Sequence, residues 1–378
     1  MSGRFIIKYL KEELIAYAKK IGLDLIGITT TEPYHRFLDE LDLRQKHYQE
    51  RFAYRIEGWQ NMAQPLKVLP DAKSVIVIGF YYLTEESEPA GCRGKMGRIV
   101  NYGHLGILKR ARLMRSFLQK KGYKAVIGAH RKEAAVRAGL GSIGKHNLVM
   151  NEECGSWVAY QSIVTTAEME ADKPFTDDLC GDCDLCLKAC PTSALYEPRR
   201  LDPRKCVTYM LTSRDVSEEY LPAFDNYILG CDVCQEACPI NKNLKPKSDV
   251  ESLLPDLMGM YPPLVNLLRM SEESFQRDVI AGITDKMSSH RFLNFLMKNK
   301  FFQKILQKVM STFFKGKEVL PETFVHASGN LEVYKRNALV AAGNLGDKSL
   351  LNDIQPLKSD SYLGIYADWA ERRITNDK

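Results

Sequence analysis

The sequence predicts three consecutive domains: an α/β domain over residues 1–170, a cysteine-rich domain over 171–250 and an all-α region over 251–378. Three observations predict it. Helical and strand-like segments alternate through the first 170 residues, eight of the ten cysteines fall between Cys180 and Cys238, and helical periodicity takes over from about Pro255. A chain of 378 residues is long enough for two or three cores. Its 45% hydrophobic and 26% charged positions exclude the disordered and collagen-like classes.

In the first domain, Lys8 to Lys20 carries apolar residues at Leu10, Leu14, Ile15 and Ala18, the pattern of an amphipathic helix, and Leu23 to Ile28 turns to strand character. The run from Lys73 to Tyr82 is β-branched and apolar nearly throughout, as a buried central strand requires. Leu108 to Lys121 reads as a basic helix and Trp157 to Thr165 as a further strand. Acidic, proline-containing Glu168 to Asp178 reads as a linker into the cysteine block. The start, MSGRFIIKYLKEEL, mixes charge into every turn, so neither a signal peptide nor stable membrane insertion is expected. A reducing, cytoplasmic location follows, in which clustered cysteines mean metal rather than disulfides. The formal charge, 53 − 47 = +6, permits an anionic partner without requiring one.

The cysteine block carries the most specific chemistry. Its first run is Cys180-x2-Cys183-x2-Cys186-x3-Cys190-Pro191; its second is Cys206, then Cys231-x2-Cys234-x3-Cys238-Pro239. This is a ferredoxin-type ligand set for two [4Fe-4S] clusters, hence a ferredoxin-like domain. Three thiolates on a short loop reach three corners of one cube, and the cysteine leaving on the following helix reaches the other. Cys180, Cys183, Cys186 and Cys238 should therefore hold one cluster, and Cys190, Cys206, Cys231 and Cys234 the other. Zinc would use paired CxxC motifs for each ion, which this spacing does not follow. The segment between Cys206 and Cys231 is an excursion inside the second motif. Two neighbouring cubes form an electron wire, so something in the chain receives electrons.

Gly139-x-Gly141-x-x-Gly144 matches the dinucleotide fingerprint literally, but a helix precedes it and a strand follows, the reverse of a Rossmann loop. Two readings remain. The glycines let a backbone approach a flat or phosphorylated ligand, with Lys145 and His146 as donors, or they cap a helix and turn into a strand.

Four stretches together resemble the cobalamin-dependent, double-[4Fe-4S] reductase family, which includes the epoxyqueuosine reductases and, distantly, the reductive dehalogenases. They are Leu69-Pro-Asp-Ala-Lys-Ser-Val-Ile-Val, the Ala138 to Asn147 glycine segment, the cysteine block with Gly230-Cys-Asp-Val-Cys-Gln-Glu-Ala-Cys-Pro-Ile-Asn241, and Arg336-Asn-Ala-Leu-Val-Ala-Ala-Gly-Asn344 with Tyr366-Ala-x-Trp-Ala370. The resemblance implies an α/β corrinoid-binding domain that holds base-off cobalamin, with Gly139, Gly141, Ser142, Gly144, Lys145, His146 and Asn147 in the pocket. It also implies a C-terminal HEAT-like repeat, an external electron donor such as flavodoxin or ferredoxin, and reduction of epoxyqueuosine in tRNA to queuosine. A monomer is expected. Small-molecule reduction with the same cofactors, or simple electron transfer, are the alternative functions.

Three departures bear on the substrate side. The family's Asp-Ser-Ala-Pro segment, whose Asp is the implied proton donor, is replaced by Ala125-Val-Ile-Gly128; the Asp-Tyr-His stretch after Gly97-Arg-Ile-Val-Asn-Tyr102 shrinks to Gly103-His104; and the usual Trp is Ser142. Loss of oxygen needs a proton, and Tyr102, His104 and His130 are the candidate donors by position. Cys92 and Cys154 read as structural thiols. From Lys286 to Lys317 eight basic residues, Lys298, Lys300 and Lys304 among them, occur with interleaved phenylalanines and no acid. An RNA-facing surface, an amphipathic helix on an anionic surface, and a solvated helix face are the three readings.

Overall fold

Every residue of the apolar strand Ser74–Tyr81 is buried, because it lies inside a four-stranded sheet with helices over both faces. This computed structural model describes residues 3–248, 250, 258–280 and 330–375. The sheet order is Leu25–Thr29, Ser74–Tyr81, Val158–Thr165, Ala125–Ile127. Each neighbouring pair is antiparallel, the central pair running in register from Ser74↔Thr165 to Tyr81↔Val158. The alternation of helix and strand is thus present, but the strands do not run parallel as in a doubly wound sheet. Alternation does not fix direction: the 28-residue helix His35–Met62 rises about 42 Å and can return the chain to either end of a strand.

Alternate residues show how both faces are covered. Phe80 sits against Gly106, on the helix His104–Lys120, where a Cβ would come within 2.7 Å of the ring. On the opposite face Gly27 lies under Ala138 and Leu140, at the end of the helix Arg131–Arg137. The first helix, Gly3–Lys20, buries Leu10, Leu14 and Ala18 as its period demands, whereas Ile15 is exposed. The acidic stretch after Thr165 is irregular yet tied down: Asp172 accepts from the Ile28 amide at 2.8 Å and pairs with Lys11, and the Phe175 amide donates to Val136.

The chain divides into two compact units, one of Met1–Leu83, Gly106–Asp184 and Cys238–Lys245, the other of Thr84–Leu105, Leu185–Ala237 and Pro246–Lys378. It changes unit inside each cysteine motif. In the second unit the short strand Lys95–Met96 runs parallel to Tyr227–Leu229, over a core that includes Met96, Phe224, Leu264, Leu267 and Leu339. The helices Leu331–Leu345 and Gly364–Thr375 pack closely because Gly343 lets Trp369 and Ala370 approach. Asn330 caps the first of them by accepting from the Glu332 amide, and Gly346, in the left-handed region, ends it.

Candidate functional site

Two backbone devices build the glycine segment. At the end of Arg131–Arg137 the Gly139 amide donates to Val136 and the Leu140 amide to Ala135, a Schellman cap whose left-handed position, φ +73°, is Gly139. A Cβ there would also meet the Lys173 carbonyl at 2.5 Å. Next, Ser142–Ile143 pairs with Val149–Met150 as a hairpin. Its loop closes by Gly144 N–H to Leu148 O at 2.9 Å, with Asn147 left-handed at φ 64°, the geometry of a three-residue turn. Gly141 is glycine because a Cβ would stand 2.3 Å from the Met150 carbonyl oxygen. Helix, cap and hairpin thus account for Gly139 and Gly141, and the order helix-then-strand bears out rejection of the dinucleotide fingerprint.

The loop's side chains have chemistry left over. Lys132 Nζ donates to the Asn147 carbonyl at 2.5 Å and to its side-chain oxygen at 3.2 Å, fixing the turn to the helix. His146 is buried; its Nδ1 accepts from the Leu148 amide at 3.2 Å, so Nε2 carries the proton of the neutral ring, and Nε2 has no partner among the described residues. Burial, then the Lys132 charge, push its pKa down to about 4. The Lys145 amide donates to Cys180 Sγ at 3.3 Å, which joins the loop to the cysteine block.

Within the first unit Cys180, Cys183 and Cys238 are neighbours, the Cys238 thiol being pushed up by burial and then by the other two sulfurs. Cys238 is anchored by Asn241, three residues on: Asn241 Oδ1 accepts from the Ser156 amide at 2.9 Å and Nδ2 donates to Ser156 Oγ at 2.9 Å. The role of Asn241 was missed in the sequence reading, although it stands in the quoted Cys-Pro-x-Asn string. Cys186 follows on the helix Leu185–Ala189 and is buried. In the second unit Cys190 lies near Cys206, Cys231 and Cys234: burial first, then neighbouring sulfurs, raise Cys206, carry Cys231 up to about 12 and push Cys234 well above the usual thiol range. Such thiols are neutral without metal, and bound iron supplies the positive charge that makes them thiolates. Among the described residues no three His, Cys, Asp or Glu side chains converge on a point that could hold a single metal ion.

Asp232, between Cys231 and Cys234, was also missed. It is wholly buried and accepts from the Arg98 amide at 2.9 Å and from Arg98 Nη1 at 3.4 Å. Beside it Gly97 and Gly230 touch backbone to backbone.

The three candidate proton donors fall in different places. Tyr102 ends a π-helical turn, Ile99–Gly103, and donates to Glu86 Oε1 at 2.6 Å; burial, then Glu86, push it up to about 12. Thr84 donates to the same oxygen at 2.7 Å. His104 opens the next helix. His130, in the other unit, stacks on Phe37 with ring centroids 3.6 Å apart, and burial, then Lys132, Arg131 and Arg36, hold it well below the usual imidazole value. Ala125 lies in the strand Ala125–Ile127, and residues 122–132 contain no acid. Of the extra cysteines, Cys154 is buried and the Cys92 thiol donates to Asp347. The basic stretch Lys286 to Lys317 lies outside the described residues.

Residues 179–241 match the family described as the 4Fe-4S double cluster binding domain. An epoxyqueuosine reductase of Staphylococcus aureus is 30% identical over 298 residues, covering 72% of this chain and 75% of that one. The chain belongs to the epoxyqueuosine reductase family. The structure of epoxyqueuosine reductase from Streptococcus thermophilus matches with a TM-score of 0.74 at 24% identity, over 97% of this chain and 91% of that one, so the fold of the family extends through the C-terminal helices. A second family structure, solved with an epoxyqueuosine-modified tRNA-Tyr stem loop, matches with a TM-score of 0.67 at 25% identity, over 97% of this chain and 99% of that one. As a member of the family the chain is an oxidoreductase with a double 4Fe-4S domain. No helix among the described residues is long and apolar enough to cross a membrane.

Proposed function

We propose that this family member reduces epoxyqueuosine in tRNA to queuosine, using two [4Fe-4S] clusters and base-off cobalamin. The observation that carries the reading is the Lys145 amide on Cys180 Sγ, which makes the glycine loop and a cluster ligand one site. The loop fits a corrinoid: His146 offers a buried Nε2–H with no partner among the described residues, suited to an acceptor on the corrin rim. Bound there, cobalamin supplies a reducible cobalt that passes electrons to the substrate. Gly139, Gly141, Ser142, Gly144, Lys145, His146 and Asn147 then form its wall.

The remaining steps belong to side chains. Cys190, Cys206, Cys231 and Cys234 hold the cluster by which electrons enter; Cys180, Cys183, Cys186 and Cys238 hold the one beside the loop. Removing an epoxide oxygen as water consumes protons and electrons in equal number, so a proton donor is needed where the family's Asp is missing. Tyr102, held by Glu86, is the better donor of those considered. His130, held well below the usual imidazole value, lacks the imidazolium proton that a general acid gives. His104 remains the second choice. The functional division is 1–170 for the corrinoid, 171–250 for the clusters and 251–378 for a HEAT-like helical region, in a cytoplasmic monomer reduced by a flavodoxin- or ferredoxin-type donor.

The test is nucleoside analysis of epoxyqueuosine-containing tRNA after incubation with reduced, cobalamin-loaded protein. Queuosine is the expected product. If none forms from protein that carries both clusters and base-off cobalamin, the missing Asp has gone with a changed substrate, and a small-molecule reductase replaces this reading.

A further inference from the structure

The excursion 207–230 separates two ligands of one cluster, Cys206 and Cys231, which must nevertheless sit at adjacent corners of a cube. Something has to hold its ends. Cys206 is the N-cap residue of the four-residue helix Val207–Met210. At the other end of that helix the wholly buried Arg336 donates through Nη2 to the carbonyls of Met210 at 3.2 Å and Ser213 at 2.9 Å. Its neighbour Asn337, also wholly buried, donates from one nitrogen to Leu211 O at 2.9 Å and to Ile228 O at 2.8 Å. Leu211 lies five residues after Cys206, and Ile228 three before Cys231. A single amide group therefore bridges the two ends of the excursion. Asn344, two turns further along, ties its middle through Leu221 O at 3.1 Å and Asp225 O at 2.9 Å.

Burying a guanidinium or an amide is costly unless its hydrogen bonds are made. The Arg336 guanidinium also lies 5.6 Å from the ring centroid of Phe224, itself in the excursion, and 5.6 Å from that of Tyr366. We propose that Arg336 and Asn337 are positioning residues for the second cluster: the C-terminal helix Leu331–Leu345 is a clamp that sets the spacing of Cys206 and Cys231, in place of the short spacer of a small ferredoxin. The C-terminal helices then serve electron entry as well as any contact with tRNA. This rests on the reading that Cys190, Cys206, Cys231 and Cys234 share one cluster.

The test is Asn337→Leu in the full-length chain, reconstituted anaerobically, with iron content, cluster spectra and the midpoint potential of each cluster as readouts. The expected result is loss or a shifted potential of the second cluster only, with iron falling from about eight toward about four atoms per chain where the cluster is lost. The first cluster and base-off cobalamin binding stay unchanged. Asn344→Ala, which frees only the middle of the excursion, should lower thermal stability and leave both potentials as in the wild type. If Asn337→Leu does not accumulate, Arg336→Lys, which keeps the charge and shortens the reach, reads the same potential. Equal loss of both clusters, or a destabilised chain with both potentials unmoved, would overturn the clamp. A wild-type chain with a single cluster would overturn the cluster reading instead, and no turnover assay enters either result.

Discussion

Burial beside the Lys132 ammonium pushes His146 down to about 4, against 6.5 for a free imidazole. Between those values the unfolded chain binds a proton that the folded chain does not. The contribution of His146 is therefore fully present above about pH 6.5, falls as pH drops toward 4, and levels off below. The span of about 2.5 pH units corresponds to about 3 kcal/mol, an order-of-magnitude figure. His130, also held down by burial and by cations, adds to the same slope with the same sign. Denaturant unfolding at pH 7.5 and pH 5 should show about 2 kcal/mol of this loss, and His146→Asn, which keeps an acceptor for the Leu148 amide, should flatten it. An unchanged slope in the variant would remove His146 from the account. At Gly139 the issue is backbone: left-handed φ and a carbonyl 2.5 Å from any Cβ predict that Gly139→Ala costs more than about 1 kcal/mol in the same assay. Gly141→Val meets the Met150 carbonyl, so loss of cobalamin binding in that variant would report a broken hairpin rather than a filled pocket.

At the scale of elements the two cysteine runs make a separable prediction. Cys183→Ser should remove one cluster and leave the spectrum of the other, from about eight iron atoms per chain to about four. Iron loss from both would mean that the two sets are not independent. The double-cluster domain was legible because the spacing of cysteines along a chain is set by the corners of a cube. The sheet strands were legible from their composition: Ser74–Tyr81 is apolar from Val75 onward, and Val158–Thr165 is rich in β-branched and aromatic residues, as buried strands are. Their antiparallel pairing was not legible, since helix–strand alternation carries no sign. Neither were Asn241, Asp232 and Asn337. Each acts through backbone groups tens of residues away in sequence, such as Ser156, Arg98 and Ile228, and such partners leave no periodicity to read. The exposed Ile15 shows the opposite limit: an apolar residue at a helical interval need not face the core.

For the molecule as a whole the question is how a chain lacking the family's Asp still protonates its substrate, and what it holds while doing so. Tyr102 is raised to about 12, so it keeps its proton through the physiological range, and it donates that proton's hydrogen bond to Glu86 Oε1. Tyr102→Phe should lower turnover by about 10²–10⁴-fold while cluster content and cobalamin binding stay at wild-type levels. His130→Phe, which preserves the stack on Phe37, should leave turnover near normal. A reversed pair of results would move the donor to His130. The net charge of +6 is modest, so binding a tRNA stem loop depends on where cations cluster, and Lys286 to Lys317 carries eight of them with no acid. If those lysines meet phosphates, log affinity falls linearly with log salt, at about 0.9 per phosphate neutralised on a duplex stem. Lys300→Glu with Lys304→Glu should then weaken tRNA binding and make that slope shallower by about 2, leaving both clusters intact. Affinity measured from low to physiological salt decides it: a slope equal to wild type would place the stretch on a solvated helix face and leave tRNA recognition to other residues.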